Sequence, residues 1–204
     1  MVRSTNDIKQ YTNDIKQYTN DIKQSISDYI MNNTSLHNTE VIDNMHMLNR
    51  RWTLWAHLPH DTKWDSDSYK KIYTFESLES VIGMLKILPD ALIKNCMLFI
   101  MKDGVKPMWE DKENRDGGCF SYKISNKIVI SSWKQFVSKM VCENVIDDKK
   151  KMLKVNGITI SPKRNFCIIK LWLKDCTIQN PKCIAEIEGL PHKGCLFKRH
   201  NPEY

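Results

Sequence analysis

Two of the six tryptophans in this chain of 204 residues stand outside any apolar pattern. Trp64 sits in Lys63-Trp64-Asp65 and Trp109 in Met108-Trp109-Glu110-Asp111, both in charged, loop-like surroundings. An indole in such a place either folds back onto the protein or offers its face to a planar ligand, and the residues alone leave these two readings even. A base stacked on an aromatic face gains roughly 1 to 3 kcal/mol. A guanine methylated on its imidazole nitrogen carries a delocalised positive charge, so an indole pair gains a cation–π attraction that the unmethylated base does not supply. Glu110 puts a carboxylate beside Trp109. It can accept two hydrogen bonds from the imino N–H and exocyclic amine of guanine, a donor pair that adenine lacks. The plainer reading is that Glu110, Asp111 and Glu113 form a solvated acidic patch.

Around a phosphorylated ligand, cations would be needed. Lys163 and Arg164, between two apolar runs, and Lys170 on the second run are the candidates. Arginine would grip phosphate as a fork and lysine as a point charge. All three read equally well as surface residues. Trp172, two residues past Lys170, either reaches a ligand from the side or fills the core, whereas Trp52, Trp55 and Trp133 fall on strand and helix patterns and read as core. Asp103, Glu110 and Asp111 are the only carboxylates that suggest a metal-assisted hydrolysis, and nothing pairs them with a nucleophile or a general base. The seven cysteines form no C-x-x-C pair and the six histidines are scattered, which reads as reduced, buried thiols with no metal site and no cofactor. The expectation is a binding protein rather than an enzyme.

The net charge of +7 favours an anionic partner without separating RNA from a membrane surface. Basic residues are frequent from Lys149 to Arg199. With 41% apolar residues the chain supports one ordinary core. It contains no apolar run long enough to span a membrane, and its polar N-terminus lacks the apolar segment of a secretion signal, so the expected setting is intracellular.

The elements that would position these residues start late. Thr5 to Gln10, Thr12 to Gln17 and Thr19 to Gln24 each read T-N-D-I-K-Q. Ile8, Tyr11, Ile15, Tyr18 and Ile22 could form one helical seam, but the repeats are short and polar, and residues 1–45 are expected to form a flexible tail. The folded domain is expected over 46–204. Alternation of Trp52, Leu54, Ala56 and Leu58 with polar neighbours predicts a strand, and Tyr69 to Phe75 a second. Helical spacing predicts a helix from Glu76 to Leu88 and another after Ser131 or Ser132 as cap, carrying Trp133, Phe136, Val137 and Met140. Strands are expected over Cys96 to Met101, Cys119 to Ile124, Met152 to Ile160, Phe166 to Leu173 and Gly194 to Lys198. A third helix is expected from Asn180-Pro181 to Gly189. Lys102 to Gly118 reads as a long loop carrying Trp109. The order implies an α+β domain, an antiparallel sheet with helices on one face and ligand loops on the other.

The run M-K-D-G-V-K-P-M-W-E-D at 101–111, followed by Gly117-Gly118, resembles the signature loop of the translation initiation factor 4E family. R-W-T-L-W at 51–55, K-W at 63–64, L-W at 171–172 and G-L-P at 189–191 resemble further family motifs, so the likeness spans roughly Leu48 to Lys198. It implies a curved antiparallel sheet backed by about three helices on its convex face, with a slot for the 7-methylguanosine cap of messenger RNA on the concave face. Trp64 and Trp109 would form the sandwich, Glu110 would read guanine, and Trp172 would lie near the methyl group. Tryptophan at positions 52 and 64 resembles the initiating class more than the repressive one. In the phosphate-binding stretch a gapless match puts Lys163, Asn165 and Ile168 where the family has three basic residues. Phe120 replaces the tryptophan usual after the double glycine, and the final loop is very short.

The resemblance also implies partners. The family takes a Tyr-x-x-x-x-Leu-Φ helix from the scaffold factor 4G or from 4E-binding proteins on a His-Pro-Leu segment and a helix tryptophan. Here those places hold His46, Met47 and Leu48, and Ile82 flanked by Leu78, so scaffold contact is expected to be weakened or redirected. Two roles follow: a cytoplasmic, monomeric initiation factor, or a cap-binding competitor that does not recruit the standard scaffold. The abundance of Asn, Ile and Lys fits an AT-rich viral or protist genome.

Overall fold

The computed structural model describes residues 45–59 and 61–202, and before them Asn13, Gln17, Asn20, Asp21, Gln24 and Asp28. Those six are helical and exposed, and Gln24 Nε2 donates to Asp28 Oδ1 at 2.8 Å. The apolar positions of the heptad seam, and with them most of the expected tail, lie outside the described residues.

Alternating side chains build the sheet. Strands β1 (Met47–His57), β2 (Tyr69–Ser77), β3 (Met97–Lys102), β4 (Gly118–Ser125), β5 (Val155–Pro162), β6 (Phe166–Leu173) and β7 (Leu196–Arg199) form one sheet in the order β2-β1-β3-β5-β6-β4-β7. Every neighbouring pair is antiparallel. Register shifts between Leu54 and Trp55 in β1 and between Val155 and Gly157 in β5 mark bulges, which bend and twist the strands that carry them, and the sheet is curved. Successive residues point to opposite faces. Trp52, Leu54 and Ala56 of β1, Leu98 and Ile100 of β3, and Ile169 and Leu171 of β6 join the main core. Phe99, Met101 and Trp172, in the opposite phase, join a smaller cluster with Val105 on the other face.

Helices cover only the first face. α1 (Leu78–Ile87) begins at a reciprocal cap between Ser77 and Ser80 and stops at Leu88, just before Pro89. α2 (Asp90–Asn95) and α3 (Val129–Val141) pack on each other, and both reach β5. α3 buries Trp133, Phe136, Val137 and Met140 completely, and each such side chain contributes about 1.5 to 3 kcal/mol of burial. This is the expected α+β layer arrangement, a helix-covered face and an open one.

Several boundaries differ from expectation. α3 starts at Val129, and neither Ser131 nor Ser132 caps it; both hydroxyls instead donate back to Ile128 O, at 2.9 and 3.0 Å. The strand expected from Met152 begins at Val155, because Asp148 accepts hydrogen bonds from the backbone of Lys150 and Lys151 and caps a single turn, α4 (Lys149–Met152). The expected helix after Asn180 is only a 3-10 turn, Pro181–Cys183. Beyond it Ile184, Ile187 and Leu190 are each buried along an irregular path, fastened by a bridge between Ile184 and Ile146.

The double glycine sets how closely three strands meet. A Cβ on Gly117 would lie 1.9 Å from Leu173 O, and one on Gly118 would lie 2.6 Å from the Phe197 ring. Any side chain there would push β4 off β6 and β7. Phe120, where the resemblance expects tryptophan, is fully buried and edge-packed on Phe197 at 5.2 Å.

Candidate functional site

A cavity of about 580 Å³ opens on the face without helices. Trp64 and Trp109 both line it, with Phe99 and Trp172 from the strands, Glu110 from the long loop, and Lys163 and Lys170 from the β5–β6 hairpin. Aromatic walls with a few convergent polar groups are the usual makeup of a small-ligand pocket.

Trp64 lies between β1 and a 3-10 turn at Ser66–Ser68 and is 57% exposed. One of its faces rests on His57, at 4.0 Å between centroids and 10° between planes. The His57 ring is itself fixed, with Nε2 2.8 Å from Lys63 O. Asp65 accepts from the amides of Asp67 and Ser68, both at 3.1 Å, and so caps the turn behind the indole. Lys106 Nζ donates to Ser66 Oγ at 3.0 Å, which ties this loop to the one bearing Trp109. Tyr69, 6.4 Å from Trp64, also lines the cavity. Burial, with smaller contributions from Glu110 and Asp65, pushes its phenol up to about 12.

The Trp109 loop has no regular structure and is held by buried amides. Asn114, fully buried, donates from Nδ2 to Lys106 O and Met108 O, both at 2.8 Å. Asn156 on β5 donates to Asn114 Oδ1 at 2.9 Å and to Glu113 O at 2.6 Å. Asp111 accepts the amides of Lys106 and Glu113. Lys174, 2.9 Å from Glu113, holds that carboxyl below the usual carboxylate range. The His200 ring lies parallel to the Trp109 indole within 12° at 5.9 Å.

The three carboxylates considered as a metal set have separate duties. Asp103 pairs with Arg51 at 2.8 Å, Asp111 closes the loop backbone, and Glu110 lines the cavity. Among the described residues no group of three His, Cys, Asp or Glu is arranged to hold a metal ion. Of the expected cations, Lys163 and Lys170 reach the cavity, with Lys170 Nζ 6.0 Å from the Trp109 centroid. Arg164 is exposed on the hairpin turn and does not line it. Trp172 lines the cavity while 3% exposed, so it serves ligand space and packing together. Trp55, read from sequence as core, is half-buried against the smaller cluster on the open face.

His57, Tyr69, Asn114, Asn156 and His200 were not singled out by the sequence. Only Asn156 carried a signal, as a polar residue at the head of the apolar run Val155–Ile160.

A family model described as eukaryotic initiation factor 4E matches residues 47–196, most of the chain. The chain belongs to the eukaryotic initiation factor 4E family. It is similar to eukaryotic translation initiation factor 4E of Candida albicans, at 28% identity over 162 residues, covering 75% of this chain and 76% of that one. It is also similar to eukaryotic translation initiation factor 4E-2 of Schizosaccharomyces pombe, at 29% identity over 158 residues, with 74% and 62% covered. Its fold matches that of Ascaris suum eIF4E-3 solved with m7G cap, with a TM-score of 0.58, 22% identity, and 65% and 76% of the two chains covered. It likewise matches a schistosome eIF4E solved with m7GpppG and 4E-BP, with a TM-score of 0.59, 20% identity, and 66% and 75% covered.

In this initiation factor 4E relative, the expected partner surface gathers where β1 meets α1. His46 Nδ1 lies 2.8 Å from Glu79 Oε1, and Leu78 N donates to His46 O at 2.8 Å. Leu48 packs onto the core and Leu78 is half-buried, while Met47 is 63% and Ile82 39% exposed. Among the described residues no helix is long and apolar enough to cross a membrane.

Proposed function

We propose that this chain binds the 7-methylguanosine cap of messenger RNA and acts in translation initiation. The observation that carries this reading is the joint placement of Trp64, Trp109 and Glu110 on one cavity. The two indoles take the methylated base between them, each face adding roughly 1 to 3 kcal/mol of stacking. Glu110 accepts the guanine imino and amine hydrogens, and Trp172 forms the wall beside the methyl group. Lys163 and Lys170 attract the triphosphate, with Arg164 contributing from the hairpin turn. Neither catalysis nor a cofactor is needed for this work, which takes place in the cytoplasm on a monomer.

Met47 and Ile82 support a second element of the reading. Together with His46, Leu48 and Leu78 they form the patch that takes a Tyr-x-x-x-x-Leu-Φ helix from a 4G-like scaffold or a 4E-binding protein. With isoleucine at position 82 the patch lacks an indole anchor, which favours weak recruitment and raises the alternative of a cap-binding competitor.

One capture experiment tests both parts. The full chain is expected to stay on immobilised 7-methylguanosine triphosphate and to elute with the free methylated nucleotide but not with GTP. A Tyr-x-x-x-x-Leu-Φ peptide co-captured by the loaded resin supports recruitment, and its absence supports the competitor. Failure of the chain itself to be retained would refute the cap reading.

A further inference from the structure

His200 follows β7 and is only 7% exposed, yet it takes no part in lining the cavity. Its ring stacks parallel to Trp109 and leans on Trp172 at 4.7 Å and 51°. It therefore occupies the side of Trp109 turned away from the ligand space. Its amide donates to Gly117 O at 3.0 Å, and its Nδ1 lies 2.7 Å from Asn114 O. A carbonyl oxygen only accepts, so Nδ1 carries the hydrogen and Nε2 of the neutral ring keeps its lone pair.

That second nitrogen is buried and has no hydrogen-bond partner among the described residues. Protonation would place a new N–H there with no acceptor among the described residues, and a positive charge where water does not reach. The charged groups that act on the ring are Lys170, which opposes protonation, and Glu110, which favours it. Burial is the largest influence, and it holds the imidazole below its ordinary value of 6.5. The ring thus stays neutral near neutral pH.

Neutrality matters because an indole has one quadrupole and two faces. A cation on one face draws on the same π density that would attract a cation on the other. We propose that His200 is the positioning residue of Trp109, holding the indole from behind as a neutral imidazole, and that protonating it weakens the indole's grip on a cationic base and makes binding acid-sensitive. This rests on the cap-binding reading above. The same titration affects folding. The unfolded chain binds the proton more readily than the folded one, so stability is full above about 6.5 and is lost as pH falls through the depressed value of the folded state.

The test titrates the full chain with 7-methylguanosine triphosphate by calorimetry, from about pH 7.5 to about pH 5.5. Three proteins are compared: wild type, His200→Phe, which keeps a flat ring that cannot titrate, and His200→Gln, which keeps a donor near Asn114. The ligand phosphates are common to all three, so only the difference between proteins bears on His200. Wild type should lose roughly tenfold more affinity over this range than either variant. Equal losses in all three, with wild type binding well at neutral pH, overturn the role of His200 alone. No binding by wild type at neutral pH overturns the cap reading and this inference with it. A readout without ligand or a His200 variant accompanies it: wild-type indole emission should fall on acidification as a charged imidazole quenches Trp109, and Trp109→Phe should remove that fall. Emission that stays flat in wild type overturns the stack as a titrating pair.

Discussion

Glu110 and Asp111 are neighbours with the same chemistry and opposite duties. Asp111 turns inward and accepts the amides of Lys106 and Glu113 at 3.0 and 2.8 Å, while Glu110 faces the cavity. A charge-assisted hydrogen bond contributes about 1.5 to 3 kcal/mol, so losing two should be felt strongly. Glu110→Ala is expected to lower affinity for the methylated nucleotide by roughly a hundredfold, with little change in melting temperature. Asp111→Ala should do the reverse, costing stability first. Calorimetry beside thermal melts separates the two, and equal effects on both variants would argue against this division. These charged neighbours made Trp64, Trp109 and Glu110 legible in the sequence, because an indole among lysines and carboxylates lacks an apolar partner nearby in the chain. His57, Tyr69 and His200 were not legible. They reach the indoles only through strand pairing and the return of β7, and no local pattern marks a residue that acts through space.

At the scale of elements, the Trp109 loop substitutes buried amides for regular structure. Asn114 alone joins Lys106, Met108 and Asn156. Removing its side chain strands several buried polar groups, each costing about 1 to 3 kcal/mol. Asn114→Ala is therefore expected to lower stability by roughly 2 to 4 kcal/mol in urea unfolding and to impair ligand binding as well. A variant that unfolds at the wild-type midpoint would contradict this account of the loop. The strands themselves were read well from sequence, Phe166–Leu173 to the residue, because one buried face forces a two-residue alternation. Helix ends were read less well. α3 is held by its buried face rather than by a serine cap, and the segment after Asn180 is anchored by Ile184, Ile187 and Leu190 at intervals of three without closing helical turns.

Across the whole molecule, the curved sheet separates two surfaces. The helix-covered face carries the core and, at the junction of β1 and α1, the patch around Met47 and Ile82; the open face carries the cavity. The net charge of +7 is spread widely, and several lysines are already paired, Lys154 with Asp175 and Lys174 with Glu113 among them. Lys163 and Lys170 stand at the cavity itself, so charge and shape converge there. In the proposed function, two indoles and one carboxylate select a methylated, positively charged guanine. The most direct measurement of that selection is a tryptophan-fluorescence titration of the full chain with 7-methylguanosine triphosphate and with GTP. Strong quenching by the methylated nucleotide is expected, with an affinity for GTP weaker by about a hundredfold, the size expected when two indole faces each lose a cation. Equal affinities for the two nucleotides, or no quenching by either, would contradict it.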